Sequence, residues 1–300
     1  VSAQALLREL REELDDAGLR GSFLVRDLHS GQELGIEPDL EFPIASLAKV
    51  PLAIATLDRI RRGELDGATR ILVHPGALPA RGPIGLSKFR HPAQIAIDDL
   101  LYLSTCMSDN AAADALFSLT PPAEVARALR AVGLHGITVR HTMSDLNNTP
   151  TARFAPEEAH LAHSLAIEAG TAGRGHRIPQ LDVTHANSAS GRACVELLRA
   201  LWTPSPIHPE VSERVRALMA DNVHRQRLAP DFTSDATTWS SKTGTMLNLR
   251  HEVGVVEHAD GQVFAVAALT ESRVPAISQP GAEALMGRVA RSLRDHLRGM

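Results

Sequence analysis

The chain has 300 residues, 44% of them hydrophobic, a formal net charge of −4 and a sequence pI near 6.4. That balance argues against a nucleic-acid or anionic-membrane binder, because neither polyanion would be attracted to it. No apolar run reaches 18 residues, so no segment is expected to span a bilayer, and the length is ample for a full core in one large domain or two interlocked ones.

In chain order, residues 4–17 read as an amphipathic helix: Leu6, Leu10 and Leu14 recur every four residues, Leu7 widens the stripe and Gly18 closes it. This charged stretch, which begins at Val1, does not read as a signal peptide. Residues 22–28 read as a strand, Gly31 as a turn, and a second short strand follows. The middle is mostly helical, with spacing and composition that predict helices over 95–103, 111–119, 123–132, 155–169 and 192–201. Gly170 to Gly175 (GTAGRG) is a loop that follows a helix and lacks phosphate-binding spacing. Residues 253–258 and 263–270 read as strands joined at Asp260-Gly261, and 282–297 as a closing helix. Strands from both ends around a helical middle predict an α+β fold: an antiparallel sheet with terminal helices and an inserted all-helical domain. The two cysteines, Cys106 and Cys194, form no C-x-x-C pair, so thiolate metal sites are not expected and both are read as buried thiols.

Of the 31 basic residues only Lys49, Lys88 and Lys242 are lysines. An ammonium can give up its proton and a guanidinium cannot, so a lysine in an arginine-rich chain is informative. Lys49 closes an S-x-x-K box with Ser46, at the start of a helix over 50–59 whose Pro51 is tolerated in the first turn. A three-residue spacing puts both side chains on one face, beside the unpaired N–H groups of a helix start. Ser108-Asp109-Asn110 lies between two helices, where the ordinary alternative is a capping turn. Lys242-Thr243-Gly244, followed by Thr245, precedes the terminal hairpin; the ordinary alternative is a strand with a surface lysine. In this order the three have a joint chance on the order of 1 in 10,000, which outweighs the weakness of each alone.

The set resembles that of class A β-lactamases and penicillin-binding proteins. The similarity extends through Phe42 to Val50, Met107 to Ala113 and Val253 to Ser272, and covers the chain from about residue 4 to its end. The resemblance implies a five-stranded antiparallel sheet in a discontinuous domain of residues 1–45 and 225–300. It places an all-α domain over 46–224, with an enlarged Ω-loop region near 140–190. It implies Ser46 as nucleophile, Lys49 as its proton acceptor, Ser108 as proton relay to the leaving group and Lys242 beside it. Asn110, Thr243, Gly244 and Thr245 would bind substrate, with the N–H groups of Ser46 and Thr245 as oxyanion hole and Arg250 as a candidate second carboxylate anchor. No cofactor or metal is implied. The partner would be a small molecule (a β-lactam, a D-alanyl peptide or an ester), bound by a monomer working in the periplasm or outside the cell. The lone Tyr102 begins no Tyr-x-Asn motif, which favours class A over class C.

The pattern breaks in the Ω-loop. Aligning Leu146-Asn147 with the family's anchor puts Met143 where a glutamate normally activates the deacylating water, and a thioether cannot take a proton. About 30 extra residues follow before the helix at Arg192. Within them Glu157 and Glu158 are candidate substitute bases, read more simply as solvated acids of a first helical turn. Glu157, His160 and His163 fall at helical spacing and could present a metal face, but read more simply as a polar helix surface; His141 is a further candidate base. The functional expectation is a serine acyl-enzyme hydrolase of the class A β-lactamase type. The alternatives are a D,D-peptidase, esterase or transacylase, an acylated sensor or trap that deacylates slowly, and a catalytically dead scaffold.

Overall fold

The structure, a computed structural model, describes residues 2–74, 84–173 and 175–299. Helix α1 (Ala3–Asp16) starts on the Ser2 hydroxyl, which accepts from the Ala5 N–H, and ends before Gly18 at φ +69°. It leads into β1 (Leu19–Asp27), β2 (Glu33–Ile36) and β3 (Glu41–Pro43). The helical region then runs through α2 (Lys49–Arg61), β4 (Arg70–Val73), β5 (Ala93–Ala96), α3 (Ile97–Cys106), α4 (Asn110–Leu119) and α5 (Pro122–Ala131). It continues with β6 (Ile137–Thr138), α6 (Met143–Asn147), α7 (Ala159–Ile167), β7 (Ser188–Ser190), α8 (Gly191–Trp202) and α9 (Pro209–Ala220). The chain returns to the sheet through α10 (Ala229–Phe232), β8 (Thr237–Met246), β9 (Leu249–His258) and β10 (Val263–Ser272), and closes with α11 (Pro280–Leu297).

The expected α+β architecture is present. Five antiparallel strands run in the order β2-β1-β10-β9-β8, so the first and last parts of the chain meet as β1 against β10. Strand alternation sorts the core to two sides. Phe23, Val25, Trp239, Val256, Phe264 and Val266 pack with Leu10, Leu14, Met286, Val289 and Leu293 of the terminal helices. Leu24, Val253, Val255, Ala265 and Ala267 point the other way, onto Leu52, Leu100, Leu116 and Leu198. Because β9 and β10 are covered on both faces, nearly every residue of each is buried, and β10 is apolar from Val263 to Leu269. Gly261, at φ +90°, makes the β9–β10 turn that Asp260-Gly261 signals.

Three local expectations change. The helix expected over 155–169 is shorter and opens on a 3-10 turn: Pro156–Glu158 leads directly into α7, and a separate 3-10 turn lies before it at Pro150–Arg153. Pro150 and Pro156 restrict the residue before each and set helix starts there. Helix α9 was not read from the sequence, and the helical region also holds the short pairs β4–β5 and β3–β7–β6. Arg174, inside GTAGRG, lies outside the described residues. Cys106 and Cys194 are buried free thiols, pushed by burial up to about 12.

Candidate active site

Ser46 sits in a single 3-10 turn, Ala45–Ala48, that runs straight into α2. Lys49 opens that helix and is fully buried, while Ser46 is half-buried. Ala45, just before the serine, has φ +48°, and Ser108 has φ +58°. Left-handed backbone at non-glycine residues costs on the order of 1–3 kcal/mol, and here it aims two hydroxyls at one lysine. The Ser108 turn is held by Asp109, the N-cap of α4, whose Oδ1 accepts from the N–H groups of Ala111 at 2.8 Å and Ala112 at 3.1 Å. Oδ2 accepts from the Leu86 N–H.

Lys49 Nζ lies 2.6 Å from the Ser108 carbonyl and 2.7 Å from Asn110 Oδ1. Neither oxygen can donate, so they fix two N–H bonds of the lysine. Its third position faces the hydroxyls of Ser46, at 3.1 Å, and Ser108, at 3.2 Å. In the ammonium that position is a proton, and in the amine it is a lone pair that accepts from a hydroxyl. Burial lowers the Lys49 pKa to about 7, against the upward pull of Asp109 and Asp114. Near neutrality the amine is therefore well populated.

Lys242 reaches the same place from β8. Its Nζ donates to Ser108 Oγ at 3.0 Å and to the Thr243 carbonyl at 2.9 Å. It too is fully buried, and its pKa falls well below the ordinary lysine value, from burial first and then from the positive charges of Lys49 and Arg227. Ser108 Oγ thus bridges two buried lysines. Gly244 is needed for approach: a Cβ there would meet the Ile44 carbonyl at 2.8 Å and Leu47 at 3.2 Å, so glycine lets β8 lie against the segment that carries Ser46. Lys88, the third lysine, is exposed outside this group.

The cleft at Ser46, about 30 Å³, is lined by Ala45, Asn110, Met143, Leu146, Asn147, Thr245 and Met246. Met143 is 2% exposed. Its turn is pinned from α4, where Asp114 accepts from the N–H groups of Met143 at 2.7 Å and Ser144 at 2.9 Å. Asn147 donates to the Met143 carbonyl at 2.8 Å. Glu157 and Glu158 are exposed, and Glu158 accepts from the N–H of Ala155 in its own turn. His160 hydrogen-bonds the Glu157 carbonyl, His163 is buried, and the His141 ring bonds the His185 carbonyl. Among the described residues no three His, Cys, Asp or Glu side chains are grouped to hold a metal ion.

Arg250 was the expected second carboxylate anchor. It pairs in register with Thr245, yet its guanidinium donates to the carbonyls of Leu247, Leu249 and Ile277. The arginine that touches the Lys-Thr-Gly segment is Arg227, 2% exposed, which donates to Thr245 Oγ1 at 2.7 Å, to the Gly244 carbonyl at 3.0 Å and to Glu283 at 2.9 Å. Sequence reasoning missed it because one arginine among 28 carries no contrast, and its burial comes from tertiary packing. The nearest local signal was its place just ahead of the short α10.

Residues 5–297 match the family described as the β-lactamase enzyme family. The chain is 63% identical over 309 residues to the β-lactamase regulatory protein BlaB of Streptomyces cacaoi, covering 99% of each. Its fold is similar to that of a β-lactamase from Chitinophaga pinensis, at 19% identity and a TM-score of 0.77 over 98% of this chain and 99% of that one. It is likewise similar to PBP-A in a structure of its L158E mutant as an acyl-enzyme with penicillin G, at 18% identity and a TM-score of 0.77 over 99% and 97%. With the family matched over nearly its whole length and a close relative along all of it, the chain belongs to the β-lactamase enzyme family.

Proposed function

We propose that this protein acylates itself on Ser46 with β-lactams or related amides and esters and holds the acyl group, acting as a sensor of such compounds. The observation that carries the reading is the buried Lys49 amine between the Ser46 and Ser108 hydroxyls, in a cleft whose wall is Met143. Lys49 takes the Ser46 proton as Oγ bonds to the lactam carbonyl carbon. The backbone N–H groups of Ser46 and Thr245 receive the developing oxyanion, each worth roughly 100- to 1000-fold in rate. As the C–N bond breaks, Ser108 gives its proton to the nitrogen and is reprotonated from the lysine pair. Asn110 orients Lys49, and the substrate carboxylate lies at Thr243, Thr245 and Lys242. Arg227 already donates to Thr245 Oγ1, which frees the threonine's own proton for that carboxylate.

Release needs a base for water. Met143 and Asn147 supply none, so the acyl-enzyme persists. Similarity to a relative called a regulatory protein supports sensing over bulk hydrolysis. One observation favours a second reading, a working hydrolase: Lys49, with its pKa near 7, could itself deprotonate water once its proton has moved on. Intact-mass time courses with benzylpenicillin, run beside product assays, separate the two. A stable penicilloyl adduct with little product supports the sensor, and fast product formation without adduct supports the hydrolase.

A further inference from the structure

Glu252, on β9, is completely buried directly opposite Thr243 of the Lys-Thr-Gly strand. None of the steps above uses it. Its Oε1 accepts from the Ser241 hydroxyl at 2.7 Å and from the Trp239 indole N–H at 3.0 Å, and its Oε2 accepts from the Leu228 N–H at 2.7 Å. Burial raises its pKa, while these three donors and Arg227 stabilise the carboxylate.

Two chains of contacts leave this carboxylate. Through Ser241, whose Oγ accepts from Asn222 Nδ2 at 2.9 Å, the first reaches His224, whose N–H donates to Asn222 Oδ1 at 3.0 Å. The His224 ring hydrogen-bonds the Met107 carbonyl at 3.1 Å, one residue before Ser108. The second chain runs through the Leu228 N–H to the adjacent Arg227, whose guanidinium holds Thr245 and the Gly244 carbonyl.

We propose that Glu252 is a positioning residue that joins the Ser108 turn to the Arg227–Thr245 end of the cleft. It fixes at once the proton relay for the leaving nitrogen and the anchor for the substrate carboxylate. This rests on acylation at Ser46 as proposed above. It touches neither substrate nor reacting atoms. Loss of this acceptor loosens both arms; Lys49 also rests on the Ser108 carbonyl, but α2 and Asn110 still hold it against Ser46, so that pair is disturbed less than the relay and the anchor.

The test compares two acylating probes. Benzylpenicillin has a carboxylate to anchor and a nitrogen to protonate. p-Nitrophenyl acetate has no carboxylate, and its phenolate leaves without a proton, so it reports on Ser46, Lys49 and the oxyanion hole without the carboxylate anchor or the Ser108 relay. Glu252→Gln places an amide NH2 against donors that had a carboxylate, leaving at least one buried donor unpaired. The expected result is a loss of roughly tenfold or more in the second-order rate with benzylpenicillin, against less than about threefold with the ester. Glu252→Asp, which keeps the charge on a shorter arm, should recover part of that selective loss. If Glu252→Gln does not fold, Ser241→Ala, which opens only the first arm, should give a smaller loss of the same selectivity. Equal losses with both probes, or no loss with either, overturn the proposal. Failure of the unmodified protein to react with either probe overturns the Ser46 reading beneath it.

Discussion

The most quantitative consequence of the site is its pH dependence. Lys49 accepts the Ser46 proton only as the neutral amine, and burial brings its pKa to about 7. With that midpoint the amine makes up about 9% of the protein at pH 6 and about 91% at pH 8, so the acylation rate constant should rise roughly tenfold between them and then level off. An ordinary lysine, with a pKa near 10.4, would instead give a rate still climbing about tenfold per unit at pH 8 to 9. The assay is quenched-flow mass spectrometry of the penicilloyl adduct across pH 5.5 to 9.5. Asp114 supplies an internal check, because its carboxylate pulls the Lys49 pKa up. Asp114→Asn should move the midpoint to lower pH, since the positive form loses a nearby anion. A flat profile from pH 6 to 8, or a rise confined to the alkaline end, refutes the assignment of Lys49 as the base.

Three substitutions extend the test. Met143→Glu puts a carboxylate into the wall of the cleft and should shorten the life of the acyl-enzyme by roughly tenfold or more, read as faster steady-state penicillin turnover. Ser108→Ala removes the hydroxyl shared by the two lysines and should slow penicillin acylation by roughly 100-fold with little change in the urea midpoint. Gly85→Ala would place a Cβ 2.0 Å from Asp109 Oδ2 at a residue with φ +69°. It should cost about 2–4 kcal/mol in urea unfolding, by displacing the cap of α4 as well as straining the backbone.

The sequence was most informative where chemistry and local pattern coincide. Lysine scarcity marked Lys49 and Lys242, and the Nζ atoms of both lie on Ser108 Oγ. The β9–β10 hairpin was legible in Asp260-Gly261 because a positive φ demands such a residue. Whatever depended on long-range packing was hidden. Arg250 looked free because it follows the Lys-Thr-Gly strand, but the tight β8–β9 turn folds its guanidinium onto the carbonyls of Leu247 and Leu249. Arg227 and Glu252 stand in no motif, and their burial against β8 and β9 comes from tertiary packing. The 3-10 opening of the helix expected over 155–169 falls at Pro156, where the ring fixes the first turn, and the helix ends at Ile167, two residues short of the composition-based bound.

The central claim is that a single hydroxyl, on Ser46, takes the acyl group. Peptide mapping of the protein after exposure to benzylpenicillin tests it most directly. The account predicts a penicilloyl mass on the peptide containing Ser46, absent from Ser46→Ala and strongly reduced in Lys49→Ala. An adduct on any other residue, or one that survives Ser46→Ala unchanged, contradicts it.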